Sequence, residues 1–270
     1  MVGEQGGSGG SADPLTADVR TAYESAAAGW ADGPERVYAP LADALVASAT
    51  VPLAGRRVLD VGAGTGAAGL AARAAGARQV VAVDLAVGML RRCPAPLHPL
   101  AADAVALPFR DGSFDIVVAA FCLSHLGSIG PALAEARRVG RAIAASAFAS
   151  GWTHPAQAAV DDALRPFGYR APAWHVLLKS QGEPQAGDPA LLAEHAAAAG
   201  FKDVQVRTIV VPTGLSTPAQ LASWRLGMAN VAAFVRSLDA PRRAAVRCAA
   251  ERAVVGSEPL VVAMVVLTGG

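Results

Sequence analysis

The sequence predicts an α/β protein with a mostly parallel sheet, helices on both faces of the sheet and a helical cap. Short apolar runs alternate with segments of helical periodicity from residue 56 to residue 148. The runs are rich in Val, Leu and Ile, which is typical of parallel strands that are buried on both faces. All four Trp and all three Tyr lie outside residues 52–148, and we expect these aromatic side chains to belong to the cap.

Seven strands and nine helices follow from the periodicity and from the positions of Gly and Pro. Pro40 predicts the start of the second helix, because its missing N–H costs nothing at the first helical position. The predicted strands cover residues 57–61, 79–83, 97–101, 114–120, 141–148, 204–211 and 260–267. The predicted helices cover residues 15–30, 40–48, 66–75, 86–92, 128–138, 156–164, 189–199, 217–238 and 240–254.

We predict one domain with a helical elaboration. The Gly-rich residues 1–13 form a flexible tail, and residues 14–50 contribute helices to the cap. The segment 150–187, with four prolines and two tryptophans, breaks the strand–helix rhythm and is expected to insert as a cap or lid. The cofactor-binding core is expected at 51–149, and its C-terminal part at 188–270 with further cap helices at about 217–254.

Composition excludes several classes of function. The formal net charge is +1, whereas nucleic-acid-binding proteins show a strongly basic patch or stripe. The three cysteines lie far apart without metal-ligand spacing, so no metal is expected. No apolar run approaches the roughly 20 residues of a membrane helix, and the first residues do not resemble a signal peptide. We therefore expect a cytoplasmic protein that acts on a small molecule; its oligomeric state is left open.

The strongest motif is a strand that runs into a glycine-rich turn, with Asp60 followed by Gly62, Gly64 and Gly66. Glycines permit a tight turn and let a ligand approach the backbone, and the helix that follows offers free N–H groups. The segment also contains the GxGxxG pattern of dinucleotide-binding proteins. However, a carboxylate at Asp60 would repel a pyrophosphate and suits a cationic ligand.

Two further carboxylates end the next two strands. Asp84 follows the second strand and can accept hydrogen bonds from ribose hydroxyls, in NAD as well as in other nucleosides. Asp103 follows the third strand, where a carboxylate can accept a hydrogen bond from an adenine amino group. The pattern therefore predicts a nucleoside ligand, and Asp60 favours one with a cationic end.

The motifs DVGAGTG, VDLAVGML, ADAVALPF and FDIVVAAFCLSHL follow one another in this order. Together they resemble the class I S-adenosylmethionine-dependent methyltransferases, in the small-molecule branch that includes enzymes of ubiquinone biosynthesis. The resemblance covers residues 56–148 and extends weakly to Gly200, Phe201 and the last strand. It implies a Rossmann-like core, S-adenosylmethionine as cofactor, and methyl transfer to an O, N or C nucleophile of a small, apolar or aromatic metabolite.

The resemblance also assigns residues, and one segment departs from it. The turn at residues 137–141 is a few residues shorter than the Pro- and Gly-containing turn of the family. For Asp60 the alternative is an acceptor that stabilises the turn, and for Met89 it is ordinary core packing. The residues that the resemblance places around the cofactor are Tyr23, Asp60, Gly62, Ala63, Gly64, Gly66, Asp84, Leu85, Met89, Asp103, Ala104 and Phe121.

Catalysis and substrate binding rest on fewer signals. His125, just beyond the fourth strand, is the candidate general base, because His most often serves this role; the alternative is a histidine that only closes the end of the sheet. The aromatic cap offers large apolar area with polar handles, although these residues could equally well only attach the cap to the core. The substrate candidates are Trp152, His154, Trp174, His175, Trp224 and Met228.

Two other functions keep the same fold. A nicotinamide-dependent oxidoreductase is disfavoured by Asp60 and by the additional ADAVALPF motif. A protein that binds the cofactor but performs another task, such as cyclisation or regulation, remains open, because a fold does not determine a function.

Overall fold

The computed structural model describes residues 14–270, and the predicted tail at 1–13 lies outside the described residues. Seven strands form one sheet in the order β3-β2-β1-β4-β5-β7-β6. All neighbours are parallel except β7, which runs antiparallel to both β5 and β6. The strands are β1 (Arg57–Val61), β2 (Gln79–Asp84), β3 (His98–Ala101), β4 (Ile116–Ala120), β5 (Ile143–Phe148), β6 (Gln205–Pro212) and β7 (Val261–Gly269).

Eleven α-helices connect or flank these strands in the described part of the chain. They are α1 (Pro14–Ala26), α2 (Pro34–Ala47), α3 (Ala67–Ala74), α4 (Val87–Leu90), α5 (Gly130–Val139), α6 (Pro155–Leu164), α7 (Ala173–Gly187), α8 (Pro189–Ala198), α9 (Pro218–Gly227), α10 (Ala229–Ser237) and α11 (Ala240–Ala253). Helices on both faces of a mostly parallel sheet give the Rossmann-like architecture that the sequence predicts, and that prediction is confirmed.

The central strands β1, β4 and β5 are buried on both faces of the sheet, whereas the edge strands β3 and β6 are largely exposed, and alternate residues of the central strands belong to two apolar clusters. On one face Val58 packs with residues of α2, α3, α6, α9 and α11. On the other face Leu59 packs with residues of α5 and α8. Because side chains alternate along a strand, the adjacent apolar residues Val58 and Leu59 of β1 serve the two layers. This explains why the pattern of β1 shows no alternation of polar and apolar residues.

The structure differs from the predicted elements at three helices. The second helix starts at Pro34, and Pro40 lies inside it; Pro34 takes the N-terminal position at which a missing N–H is harmless. The predicted helix at 217–238 is two helices, because the extended backbone of Met228 (ψ 142°) separates α9 from α10. The third difference is α7, which was not predicted.

Helix α7 contains Gly182 and Pro184, two residues that normally argue against a helix interior. The structure shows why a glycine stands there. A Cβ at Gly182 would lie 2.7 Å from the carbonyl oxygens of Ser124 and Leu126. Helix α7 therefore packs directly against the turn that follows β4, and only glycine allows this approach.

The short connection before β5 is compatible with the sheet. Gly140 donates its N–H to the carbonyl of Ala136, and a Cβ there would lie 2.5 Å from Val117. Phe114 donates its N–H to the carbonyl of Val139, which attaches the turn to the segment that precedes β4. Three residues suffice between α5 and β5, so the shortening leaves the strand order intact.

The sheet order reverses between β1 and β4, since β2 and β3 lie on one side and β5 on the other. In open α/β sheets, ligands bind in the crevice at the carboxyl ends of the strands beside such a switch point. Asp60, Asp84 and Phe121 all lie at or next to these ends.

Candidate functional site

A cavity lies at the carboxyl ends of β1, β2 and β4, and α1 contributes to its wall. It brings together twelve residues that the sequence singled out: Tyr23, Asp60, Gly62, Ala63, Gly64, Asp84, Leu85, Met89, Asp103, Ala104, Phe121 and His125. Gly66 is not part of the lining; it starts α3 with φ +94°, and a Cβ there would lie 2.5 Å from Leu97. Its contribution is to the turn, whereas the other glycines face the cavity or its floor.

The glycine loop adopts backbone conformations that other residues rarely take. Gly62 (φ +67°) and Gly64 (φ +56°) lie in the left-handed region. A Cβ at Gly62 would overlap Cys122, 2.6 Å away, whereas a Cβ at Gly64 would meet no atom within 4 Å. The backbone at Gly64 is thus open to a ligand, while Gly62 lets the loop after β1 approach the turn after β4.

Asp60 is fully buried at the floor of the cavity. Its Oδ2 accepts a hydrogen bond of 2.7 Å from the N–H of Gly69, but its Oδ1 has no partner among the described residues. Burial raises the pKa of Asp60 to about 7, against the lowering effect of the Gly69 hydrogen bond. The Gly69 bond agrees with the turn-stabilising alternative, and the second oxygen remains available to a cationic or hydrogen-bond-donating ligand.

Asp84 already binds two backbone groups. Its Oδ2 accepts from the N–H of Gly64 and its Oδ1 from the N–H of Ala86, each at 2.8 Å. Burial raises the pKa of Asp84, and these hydrogen bonds oppose the rise. Because each carboxylate oxygen can accept a second bond, Asp84 can fasten the glycine loop and accept from a ligand hydroxyl together.

Asp103 and Met89 complete the walls at the ends of β3 and β2. Asp103 Oδ1 accepts from the N–H of Val105 at 3.1 Å, and Ala104 beside it is buried. Met89 is fully buried and packs in a small cluster with Ala86 and Trp30, which agrees with its core-packing alternative as well as with an apolar wall. Cofactor contact for all of these residues stays a prediction.

The turn after β4 begins with a strained residue. Phe121 has φ +55°, an uncommon conformation for a non-glycine residue and one that clusters at functional sites. Its N–H donates to the carbonyl of Ser146 at 2.9 Å, and its own carbonyl accepts from His125 Nδ1 at 2.8 Å. The turn therefore fixes the orientation of the His125 ring.

His125 also bonds to Tyr23, whose hydroxyl lies 2.7 Å from Nε2. A carbonyl oxygen only accepts, so Nδ1, which faces Phe121, carries the proton of the neutral ring. Nε2 is then the acceptor, and the Tyr23 hydroxyl donates to it. Burial lowers the pKa of His125 and, with the neighbouring Tyr38 and Asp84, raises the pKa of Tyr23. Both groups are therefore neutral at pH 7.

The sequence missed part of the cavity wall. Trp30 and Tyr38 line it, and their rings stack 5.5 Å apart. Tyr38 in turn packs edge-on against Phe121 at 5.4 Å. Helix α1 presents Thr16, Val19, Arg20 and Tyr23 to the cavity. Their helical spacing identifies one face of α1, but periodicity alone could not show what that face covers.

The six predicted substrate residues do not line this cavity. Trp174 packs against the same small cluster around Trp30 as Tyr23 does. Trp224 is 2% exposed and lies in the core. His154 caps α6 and faces Trp224. Trp152 stacks on Phe148, His175 lies beside Trp174, and Met228 packs against the core. Their contact with a substrate stays a prediction.

Other chemistry is limited within residues 14–270. No group of three or more His, Cys, Asp or Glu residues there could hold a metal ion. Burial raises the pKa of Cys93 and of Cys122 to about 12, so both thiols are protonated at neutral pH. No helix in this part of the chain has the length and apolarity that a membrane span requires.

Comparison with known proteins identifies the core. Residues 59–143 match the family model of a methyltransferase domain. Demethylmenaquinone methyltransferase of Renibacterium salmoninarum is 46% identical over 99 residues, which cover 35% of this chain and 41% of that protein. Malonyl-[acyl-carrier protein] O-methyltransferase of Geobacter sulfurreducens is 40% identical over 133 residues, 45% of this chain and 48% of that protein. The chain thus spans less than half the length of these relatives.

Solved structures share the fold at low sequence identity. A protein of Anabaena variabilis, proposed to be a methyltransferase of an antibiotic biosynthesis pathway, superposes with a TM-score of 0.59 at 16% identity, covering 87% of this chain and 99% of that one. The [4+2]-cyclase SpnF gives a TM-score of 0.52 at 18% identity over 86% and 79% of the chains. Residues 59–143 are thus similar to the methyltransferase domain of relatives that include ubiquinone- and menaquinone-biosynthesis enzymes, and the solved structures share the fold of this chain.

Proposed function

We propose that the protein transfers a methyl group from S-adenosylmethionine to a small, apolar or aromatic molecule. One observation carries the proposal: a single cavity combines three carboxylates with a neutral Tyr–His pair on the opposite wall. Asp60, Asp84 and Asp103 lie at the ends of β1, β2 and β3, where we place the cofactor. Tyr23 of α1 bonds to His125 in the turn after β4.

The residues present fit this cofactor better than a dinucleotide. Asp60 keeps one buried oxygen without a partner among the described residues, and three carboxylates surround the glycine loop. They would oppose a pyrophosphate and attract an ammonium or sulfonium group. Arg20 is the one Lys or Arg side chain of the described lining, and it comes from α1 rather than from the loop. We assign Asp60 to the cationic end of the cofactor, Asp84 to its ribose and Asp103 to its adenine.

When bound, S-adenosylmethionine supplies a methyl group that is already activated. The chain then has to orient the nucleophile, exclude water and accept a proton where the nucleophile is acidic. The neutral ring of His125 accepts a hydrogen bond at Nε2, and the donor in this structure is the Tyr23 hydroxyl. A substrate proton can pass to the Tyr23 oxygen as the Tyr23 proton passes to Nε2, and the carbonyl of Phe121 stabilises the resulting imidazolium at Nδ1.

The wall next to this pair supports an apolar or aromatic substrate. Trp30, Tyr38 and Phe121 provide aromatic surface, and the burial of Tyr23 and His125 limits the access of water to this pair. Trp174 packs against the same cluster around Trp30 as the cavity residue Tyr23, which supports a substrate role for part of the predicted cap residues. The names of the matched relatives give demethylmenaquinone and a malonyl-[acyl-carrier protein] as their substrates. For this protein the aromatic wall favours a substrate with a ring over a carrier-bound acid.

Ligand-induced stabilisation tests the cofactor. At a concentration about 100 times Kd, binding adds about 2.7 kcal/mol to the free energy of unfolding. This raises the melting temperature by roughly 5–10 °C in a chain of this size. We expect this increase with S-adenosylmethionine or S-adenosylhomocysteine and none with NAD or NADP; the reverse pattern refutes the proposal. Incubation with methyl-labelled cofactor and a metabolite extract then identifies the methyl acceptor. If the protein binds the cofactor but transfers no methyl group, it is a cofactor-binding protein with another task.

A further inference from the structure

Three successive residues of α1 bind three different parts of the protein. Tyr23 donates to His125 in the turn after β4. Glu24 Oε2 accepts from the N–H of Gly88 in α4, at 2.7 Å. The carbonyl of Ser25 accepts from Arg236 in α10. The first contact lies in the turn after β4 and the second in the helix after β2, and β1 lies between these two strands, so this turn of α1 bridges the crevice.

Few apolar contacts hold α1 in this position. Its buried residues are Leu15, Ala22 and Ala26, and two of these three are alanines with little apolar area. Hydrophobic burial therefore fixes α1 weakly compared with a core helix. Whether it lies on the cavity or away from it depends to a large extent on the polar contacts of residues 23–25.

A side chain at residue 88 would displace the Glu24 carboxylate from its present position. A Cβ at Gly88 would overlap Glu24 Oε2 and lie 3.5 Å from the Cβ of Ala27. The backbone of Gly88 is not left-handed, so alanine is allowed there by conformation and is the better helix former. The backbone conformation of α4 therefore does not call for a glycine at residue 88. The missing side chain gives the Glu24 carboxylate access to the N–H group.

We propose that Glu24 is a positioning residue, whose hydrogen bond to Gly88 holds α1 over the cavity and thereby seats Tyr23 on His125. The closure is a property of the ligand-free chain, and only its catalytic consequence rests on the proposed function. Closing α1 encloses the cofactor, so the bond also slows cofactor release.

Hydrogen–deuterium exchange of the ligand-free protein tests the closure without any assumption about activity. In Glu24→Ala and Gly88→Ala the amides of residues 14–26 should exchange about threefold to tenfold faster, the range expected for loss of one hydrogen bond at a partly exposed site. Glu24→Gln keeps an acceptor oxygen and should stay close to the wild type. Asp18→Ala removes an exposed carboxylate from the same helix that makes no hydrogen bond or ion pair within residues 14–270, and it should leave exchange unchanged.

The two substitutions remove the same contact, so the double variant should exchange no faster than the faster single variant. S-adenosylhomocysteine should dissociate faster from both single variants than from the wild type. Trp fluorescence measures the dissociation rate. Unchanged exchange of residues 14–26 in Glu24→Ala and in Gly88→Ala overturns the inference. If exchange accelerates in the variants but S-adenosylhomocysteine never slows it in the wild type, the closure stands and the proposed cofactor is wrong.

Discussion

The hydroxyl of Tyr23 and Nε2 of His125, 2.7 Å apart, join α1 to the turn after β4 across 102 residues of sequence. The ring of His125 is fixed from its other side by the carbonyl of Phe121 at 2.8 Å. The proton acceptor is therefore complete only when α1 lies over the cavity. This arrangement links enclosure of the cofactor to readiness for proton transfer.

Tyr23→Phe should reduce methyl transfer about 100-fold or more when the substrate nucleophile is acidic, because general acid–base catalysis contributes about 10² to 10⁴. Binding of S-adenosylhomocysteine should change little, since the ring and its packing remain. Transfer rates with labelled cofactor and calorimetric titration measure the two effects. Thr21→Ala is the matched control, since its exposed hydroxyl donates to the carbonyl of Ala17 within α1 itself. A Tyr23→Phe enzyme with normal turnover would remove the pair from the mechanism.

The same pair predicts the acid side of the pH profile. Burial lowers the pKa of His125 below its usual 6.5, so the ring stays an acceptor as the pH falls through 6.5. With cofactor at saturation, so that protonation of Asp60 does not limit binding, we expect kcat to remain flat from pH 7.5 to about 6.5 and to decline only below that. An acid limb centred above 6.5 that disappears in His125→Gln would contradict this assignment of the proton acceptor.

The core of the site could be predicted from the sequence because it is local. Gly62, Gly64, Asp84 and Asp103 stand at strand ends, and parallel strands bring their carboxyl ends to one edge of the sheet. Once the strands are recognised, these residues must meet. The periodicity of each strand and the turn residues that follow it contain the necessary information.

The rest of the site depends on tertiary packing. Trp30 and Tyr38 lie before the core in sequence, and nothing in their neighbourhood shows that α1 and α2 return over the cavity. Gly182 and Pro184 concealed α7, because both residues normally argue against a helix interior. In the structure, Gly182 allows α7 to approach the turn that contains His125. Periodicity describes a helix but not the surface that the helix covers.

Asp60→Asn should separate stability from binding. The folded protein holds the pKa of Asp60 at about 7, above its ordinary 3.8. The native state therefore binds more protons than the unfolded state between about pH 4 and 7, and this carboxylate costs stability as the pH rises through that window. This rise in pKa corresponds to a loss of about 4 kcal/mol of stability at high pH. The amide that replaces the carboxylate is also buried, and its own desolvation offsets part of the gain. We expect Asp60→Asn to stabilise the ligand-free protein by about 2 kcal/mol at pH 8.

Urea unfolding at pH 8 and pH 5 measures this difference, which should shrink at the lower pH. Affinity for S-adenosylmethionine should fall at least about tenfold, because the charge that faces its cationic end is lost. Equal stabilities at both values of pH would refute the protonation argument. Undiminished affinity would refute the assignment of Asp60 to the cofactor.

Asp84→Ala should lower cofactor affinity at least about tenfold, because hydrogen bonds to a charged group contribute about 1.5–3 kcal/mol. The structure adds a loss of stability, since Asp84 also accepts from Gly64 and Ala86. Asp84→Asn retains one acceptor oxygen and should lose less of both. Thermal unfolding and calorimetric titration separate the two effects, and a folded Asp84→Ala protein with unchanged affinity would contradict the ribose assignment.

Trp174 and Trp224 allow the predicted substrate role of the cap to be tested as a matched pair. Trp224 is 2% exposed and lies in the core, so Trp224→Ala should cost about 3–5 kcal/mol of stability. Trp174 is only partly buried and packs on the cluster that holds Tyr23 and Trp30. Trp174→Ala should therefore cost less stability, raise KM for the methyl acceptor and leave cofactor affinity within about twofold, because separate sites act independently. Steady-state kinetics at low temperature, where both variants are folded, makes the comparison. If Trp174→Ala is destabilised like Trp224→Ala and its KM for the acceptor is normal, Trp174 only packs the cap, and the substrate wall ends at Trp30 and Tyr38.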